Sequence, residues 1–219
     1  ASIINTKECT VDSRQRALYN LYQIDKRTVD GMDEDPDKTK SAAGSGSGST
    51  TSGPGAALPD GDVISLAKQI VDNPNITYDG DQFQNMANGQ PAAYGVTVDK
   101  RLLQTILYIA KKYPIYISSL VRENTNNYSL HPVGEAVDIA MINGTATTGG
   151  DQNAIDMLQY LLDGKVLPQG AGVGQEGCGN RAGSGMDGKL SSAGLVPHDD
   201  TCNHVHLALR WTRSAPKNW

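Results

Sequence analysis

From Val63 the apolar positions Val63, Ile64, Leu66, Ala67, Ile70 and Val71 recur three and four apart, behind Asp62 and before Asn73-Pro74. That spacing predicts a helix with an Asp cap. Asp99 precedes a second such stripe, Leu102, Leu103, Ile106, Leu107 and Ala110, which Pro114 ends. A third runs from Ala154 to Leu162, with Ile155, Leu158, Leu161 and Leu162 apolar. Three segments read instead as strands: Ile115–Val121, Ala136–Met141 and His204–Arg210. Residues 75–98 are rich in Gly, Asn and Gln, and 164–201 in Gly, so both read as irregular. No internal repeat is visible. The expectation is an α+β domain: a small antiparallel sheet with flanking helices.

Upstream of this domain the pattern changes. Residues 1–40 form a polar arm ending in the acidic run Asp30–Asp37, and 41–57 form a Gly/Ser-rich linker. The domain itself is expected over 58–219. Twenty-four Gly and ten Pro in 219 residues fit this division between loop and core. The net charge of −5 leaves no basic excess to meet phosphate, so no nucleic-acid partner is expected. No apolar run reaches the ~18 residues of a membrane helix, so no membrane span is expected. Residue 1 is Ala, and the chain reads as a processed product, in keeping with secretion.

The chemistry concentrates late. All four histidines lie between His131 and His206. His204 and His206, two apart on a strand, share a face, while Val205, Leu207 and Leu209 point the other way. Asp138 lies on a strand face it shares with Ala136 and Ala140, which leaves room for a ligand. The preceding loop, Ser129-Leu-His131-Pro-Val-Gly134-Glu-Ala136-Val-Asp138, could turn His131 back toward Asp138. Two imidazoles and a carboxylate are standard zinc ligands, and His131, Asp138 and one of the paired histidines would make such a set. Alone, a His-x-His pair is weak evidence for metal, and a lone Asp in a strand is commonly satisfied by backbone donors. Their coincidence is what needs explaining.

The pattern Ser-x-His-x-x-Gly-x-Ala-x-Asp, followed by a distant His-x-His on the last strand, resembles the LAS-type metallopeptidases. That group holds lysostaphin-like enzymes, D-alanyl-D-alanine peptidases and the Sonic hedgehog signalling domain. Ser129, His131, Gly134, Ala136 and Asp138 fill the first motif, and His204-Val-His206 the second. The resemblance covers roughly residues 99–210 and is closest to the D-alanyl-D-alanine peptidase branch. It implies zinc held by His131, Asp138 and His206, with His204 as the catalytic histidine that is not a ligand. It implies hydrolysis of peptide bonds, involving D-amino acids, in bacterial peptidoglycan. It also implies an upstream Arg that binds substrate; Arg122 is the candidate, with Ser129 a second substrate contact. Some branches place a Glu base three residues before the last ligand, where this chain has Asn203. His204 must then serve, or the chain is a non-catalytic zinc module for cell-wall binding or signalling. Glu135 is expected to be solvated, and His198, Asp199 and Asp200 to form a polar surface loop.

Three cysteines remain. Pairing Cys178 with Cys202 would pin the Gly-rich loop beside the site, contribute about 3 kcal/mol and imply an extracytoplasmic location. Cys9 would then be left over; the alternative is that all three stay reduced. Sequons at Asn75, Asn127 and Asn143 raise the question of glycans. A glycan on Asn127 would crowd the metal loop, so an unglycosylated bacterial or phage-related protein is expected.

Overall fold

Three aspartates start the three main helices. Asp62 accepts a hydrogen bond from the Ser65 backbone N–H and caps α1 (Val63–Val71). Asp99 caps α3 (Lys100–Ala110) through the Arg101 N–H, and Asp151 caps α4 (Gln152–Gly164) through the Ala154 N–H. Such a cap contributes typically about 1 kcal/mol by satisfying a donor the first turn leaves open. A short helix, α2 (Gln82–Ala87), lies between α1 and α3, and another, α5 (Met186–Ser192), follows α4. The computed structural model describes residues 56–123 and 129–211. The 1–40 arm, all but the end of the 41–57 linker, Cys9 and Asn127 lie outside the described residues.

The strands are β1 (Ile76–Tyr78), β2 (Ile115–Ser119), β3 (Ala136–Ile142), β4 (Thr145–Ala146), β5 (Gly172–Val173), β6 (Val196–Pro197) and β7 (Val205–Ala208). They form one sheet in the order β1-β2-β3-β7-β5-β6, with β4 folded back on β3. The fold is α+β, as expected, but the sheet is larger than the three expected strands and is mixed. Its centre is antiparallel: β2 against β3, β3 against β7, and β7 against β5. Both outer pairs, β1–β2 and β5–β6, are parallel. The reason lies in their connections. A helix separates the partners in each outer pair, α5 in one and α2 with α3 in the other, and such a crossover returns the chain in the same direction.

The sheet has a core face and a site face. Val137, Ile139, Val205 and Leu207 are fully buried among Leu66, Ile70, Leu102 and Ile106 of the helices. Strand alternation sends Ala136, Asp138, His206 and Ala208 to the other face. Ala136 pairs with Ala208 and Asp138 with His206 across β3 and β7. Fixed cross-strand register thus brings the carboxylate and one imidazole together before any loop contributes. The β2–β3 pairing slips twice along its length, placing Ser119 opposite Asp138, an irregularity of the kind that re-aims side chains near sites.

Candidate metal centre

Asp138 Oδ1 is the hub. His206 Nδ1 lies 2.8 Å from it, His131 Nε2 3.1 Å and His204 Nε2 3.3 Å. Strands β3 and β7 supply Asp138 and His206, and His204 stands just before β7. His131 comes from a 3-10 turn, His131–Val133, that ends on Gly134. Gly134 has φ 72°, and a Cβ there would sit 2.7 Å from the Thr97 carbonyl oxygen. Only glycine meets both demands, which gives the motif's glycine a physical reason.

His131 is fully buried. Its Nδ1–H donates to the Leu120 carbonyl at 2.5 Å, which leaves an Nε2 lone pair facing Asp138. Nε2 makes no directed hydrogen bond although it is buried. A ring nitrogen and a carboxylate oxygen 3.1 Å apart in a buried place need a positive charge between them, a proton or a metal ion. The donor atoms of His131, Asp138 and His206 all lie within 4.8 Å of one another, so these three groups could hold a metal ion. Asp200, His204 and His206 form a second, more exposed group that meets the same distance.

The charges respond to this crowding. Burial alone would raise the Asp138 carboxyl, but the contacts of His131, His204 and His206 outweigh it and hold it far below the usual carboxylate range. Burial would lower the His204 imidazole, yet Asp138 and Asp200 together push it up to about 9. Asp200, 3.4 Å from His204 Nε2, is in turn held down to about 2 by that ring and the Thr201 N–H, against the effect of its burial. His198 moves the other way: burial, reinforced by nearby His206, takes it down to about 4.

Several surroundings differ from expectation. His198 is buried, not part of a polar surface loop; its ring stacks on Trp211 at 3.8 Å and meets His206 edge-on at 5.5 Å. Asp199 and Asp200 are exposed, and Asp200 faces His204. Glu135 is not solvated: it accepts a 2.5 Å hydrogen bond from Arg210 Nε and is mostly covered. Ser129 Oγ accepts from the His131 backbone N–H at 3.4 Å, so it supports the loop that carries His131. Arg122 is exposed at the rim of a cavity of about 250 Å³ shared with Tyr78, Asp79, Gln82 and Ser118. That cavity includes none of the four histidines, but Leu120, whose carbonyl orients His131, is among the residues that line it. A larger groove, about 940 Å³, runs along α1 past Asp62, Lys68 and Lys111, away from the centre.

Cys178 and Cys202 are joined by a disulfide. It ties the loop after β5 to the segment that carries Asp200 and His204. Within that loop lies Gln175, a residue the sequence pattern does not single out. It is fully buried, takes the His206 backbone N–H on Oε1 at 2.8 Å and offers Nε2 to His204 Nε2 at 3.0 Å. No periodicity or motif marks it; the signal available was its place in a Gly-rich loop beside a cysteine. Fully buried Arg181 braces the same loop. It pairs with Asp187 at 2.5 Å and donates to the Gly174 and Val173 carbonyls.

No helix among the described residues is long and apolar enough to cross a membrane, and the disulfide is consistent with an extracytoplasmic location. Comparison with protein-family models, curated proteins and solved structures finds no match to this chain, so the site must be read from its own geometry.

Proposed function

We propose that the chain is a zinc-dependent peptidase of the LAS type, acting outside the cytoplasm on peptide bonds that involve D-amino acids in bacterial peptidoglycan. The observation that carries the reading is the convergence of His131 Nε2, Asp138 Oδ1 and His206 Nδ1 with a fourth group, His204, beside them. Two imidazoles and one carboxylate suit zinc and leave a coordination position for chemistry. When bound, zinc supplies Lewis acidity, polarising a carbonyl and acidifying water.

The chain's own residues divide the remaining work. The Leu120 carbonyl fixes the His131 tautomer, so Nε2 is ready as a donor atom. The β3–β7 register holds Asp138 and His206 face to face without loop motion. His204 moves the proton between the attacking water and the leaving amine. Its elevated proton affinity comes largely from Asp138 and Asp200; a cation sharing Asp138 would draw off that charge and bring the ring back toward neutrality. Arg122, near the Leu120 end of the site, is the candidate for holding substrate, with Ser129 behind the metal loop.

A second reading, a non-catalytic zinc module for cell-wall binding or signalling, draws on Asn203 standing where some branches have a Glu. Incubation of the zinc-replete chain with purified peptidoglycan separates the two. New amino termini or released D-alanine, absent with His204→Ala, support the peptidase; retained binding without release supports the module.

A further inference from the structure

His204 meets two amide side chains as well as two carboxylates. Its Nδ1 lies 2.7 Å from Asn203 Oδ1, and its Nε2 lies 3.0 Å from Gln175 Nε2. Which nitrogen carries the proton follows from a series of donors and acceptors that begins at the backbone. The His206 backbone N–H can only donate, and it donates to Gln175 in a buried position. That end of the Gln175 amide is therefore the oxygen. The other end is NH₂, a donor only, and it faces His204 Nε2. A ring nitrogen that accepts a hydrogen bond carries no proton, so the neutral ring keeps its proton on Nδ1. There it is donated to the Asn203 oxygen, which also accepts from Thr201 Oγ1 at 3.0 Å.

The carboxylates make the opposite demand on Nε2, from 3.3 Å for Asp138 and 3.4 Å for Asp200. Both contacts are longer than the one to Gln175. Asp138 Oδ1 is also shared with His206 and His131. The Gln175 amide cannot turn over without stranding the buried His206 N–H. Its backbone is itself unusual: φ is 63°, a region that favours glycine, between Gly174 and Gly177. Gly149 makes space for it, since a Cβ there would lie 2.6 Å from Gln175 Cβ and Cγ. A side chain kept at a glycine-like position and given room by a neighbouring glycine points to a role for its amide.

We infer that Gln175 and Asn203 are positioning residues that hold neutral His204 as its Nδ1–H tautomer, leaving Nε2 unprotonated 3.3 Å from Asp138 Oδ1. The catalytic meaning rests on the peptidase reading, in which an unprotonated ring nitrogen beside the metal-ligand set is what a proton acceptor needs. Asn203 then supports the base by orienting it, from the position where a carboxylate base would otherwise stand.

Long-range ¹H–¹⁵N spectra of the histidine-labelled full chain test this directly. They are recorded without metal at the alkaline end of a pH series, where the ring nitrogen shifts themselves show that the charge has been lost. The His204 signals are assigned by their loss in His204→Ala. The expected result is a protonated Nδ1 and an unprotonated Nε2. Gln175→Glu puts an acceptor opposite Nε2 and should draw the proton there. In the zinc-loaded chain, Asn203→Leu should keep its zinc but lose about ten- to a hundredfold in turnover, with Asn203→Asp restoring it. An Nε2–H tautomer in the unaltered chain overturns the inference, and so does an unchanged tautomer in folded Gln175→Glu. The unaltered chain decides the matter if Gln175→Glu does not fold. The expected tautomer in a chain that releases nothing from peptidoglycan would refute the peptidase reading and leave the positioning intact.

Discussion

Replacing Cys178 and Cys202 together by serine, in a Cys9→Ser background, opens a loop whose ends are 24 residues apart. Closing a loop of that size removes about 12 cal/mol/K from the unfolded chain, or about 3.5 kcal/mol at 25 °C. For a domain of this length each kcal/mol moves Tm by about 2–4 °C, so a fall of about 7–14 °C is expected. Urea unfolding without reductant should show the same loss, with a somewhat larger m because the opened chain exposes more surface. The two sides of the bond should not loosen equally. The Cys178 side is held by other means: its N–H donates to the Gln175 carbonyl, its own carbonyl accepts from Arg181, and Gly150 packs against it. Cys202 lies on an exposed stretch where the Asn203 N–H bonds only as far back as Thr201. Hydrogen exchange in the variant should therefore rise at 199–203 and stay low at 172–181. A loss below about 1 kcal/mol would refute the entropic reasoning, and fast exchange throughout 172–181 would refute the assignment of which side is anchored.

Three further outcomes are expected. His206→Ala and Asp138→Ala should lose zinc and activity, while His204→Ala should keep zinc and lose turnover by roughly 10²–10⁴-fold; metal content and rates on the same preparations check this, and zinc lost from His204→Ala but kept by His206→Ala would exchange the two roles. Metal-free stability should peak near pH 6.5. The raised His204 contributes fully below its unfolded value and loses that contribution as pH rises toward about 9, whereas the lowered His198 contributes above its unfolded value and loses it as pH falls toward about 4. Urea titrations with a chelator should show both flanks, and His204→Ala should flatten only the alkaline one. Gly134→Ala must place a side chain at φ 72° and 2.7 Å from the Thr97 oxygen; thermal unfolding should register a loss of roughly 1–3 kcal/mol and zinc titration a weakened site, and a neutral effect on both would remove the structural account of the motif glycine.

The three long helices and three central strands were legible because each carries its signal within its own residues. Periodicity marks α1, α3 and α4, an Asp cap adds to it for α1 and α3, and alternation marks β3 and β7. The other strands carry no such signal. Gly172-Val173 and Val196-Pro197 are strands only because β7 and each other are there to pair with. Ile76–Tyr78 is three residues long and depends on β2. Helix α5 includes Gly188 and follows a Gly-rich stretch, so its propensity argues against it. Long-range pairing decides these elements, and with them the parallel edges of the sheet.

The site divides along the same line. Asp138 and His206 on the strands, His131 on the motif turn and His204 just before β7 could be brought together on paper because strand parity and a Pro-Gly turn indicate where they face. The groups that tune them sit where parity does not reach. Gln175 and Asp200 stand on the two loops joined by the disulfide, and His198 on the short edge strand's exit. Their roles depend on a 24-residue closure and on buried hydrogen bonds from backbone groups far away in sequence, such as Gln175 to His206 N. A motif records ligands because their spacing is local to a scaffold element. It omits orienting groups because any loop that reaches the ring can supply an amide or a carboxylate. The unexpected burial of His198 has the same cause: nothing near it in sequence announces Trp211, thirteen residues later, as the ring that covers it.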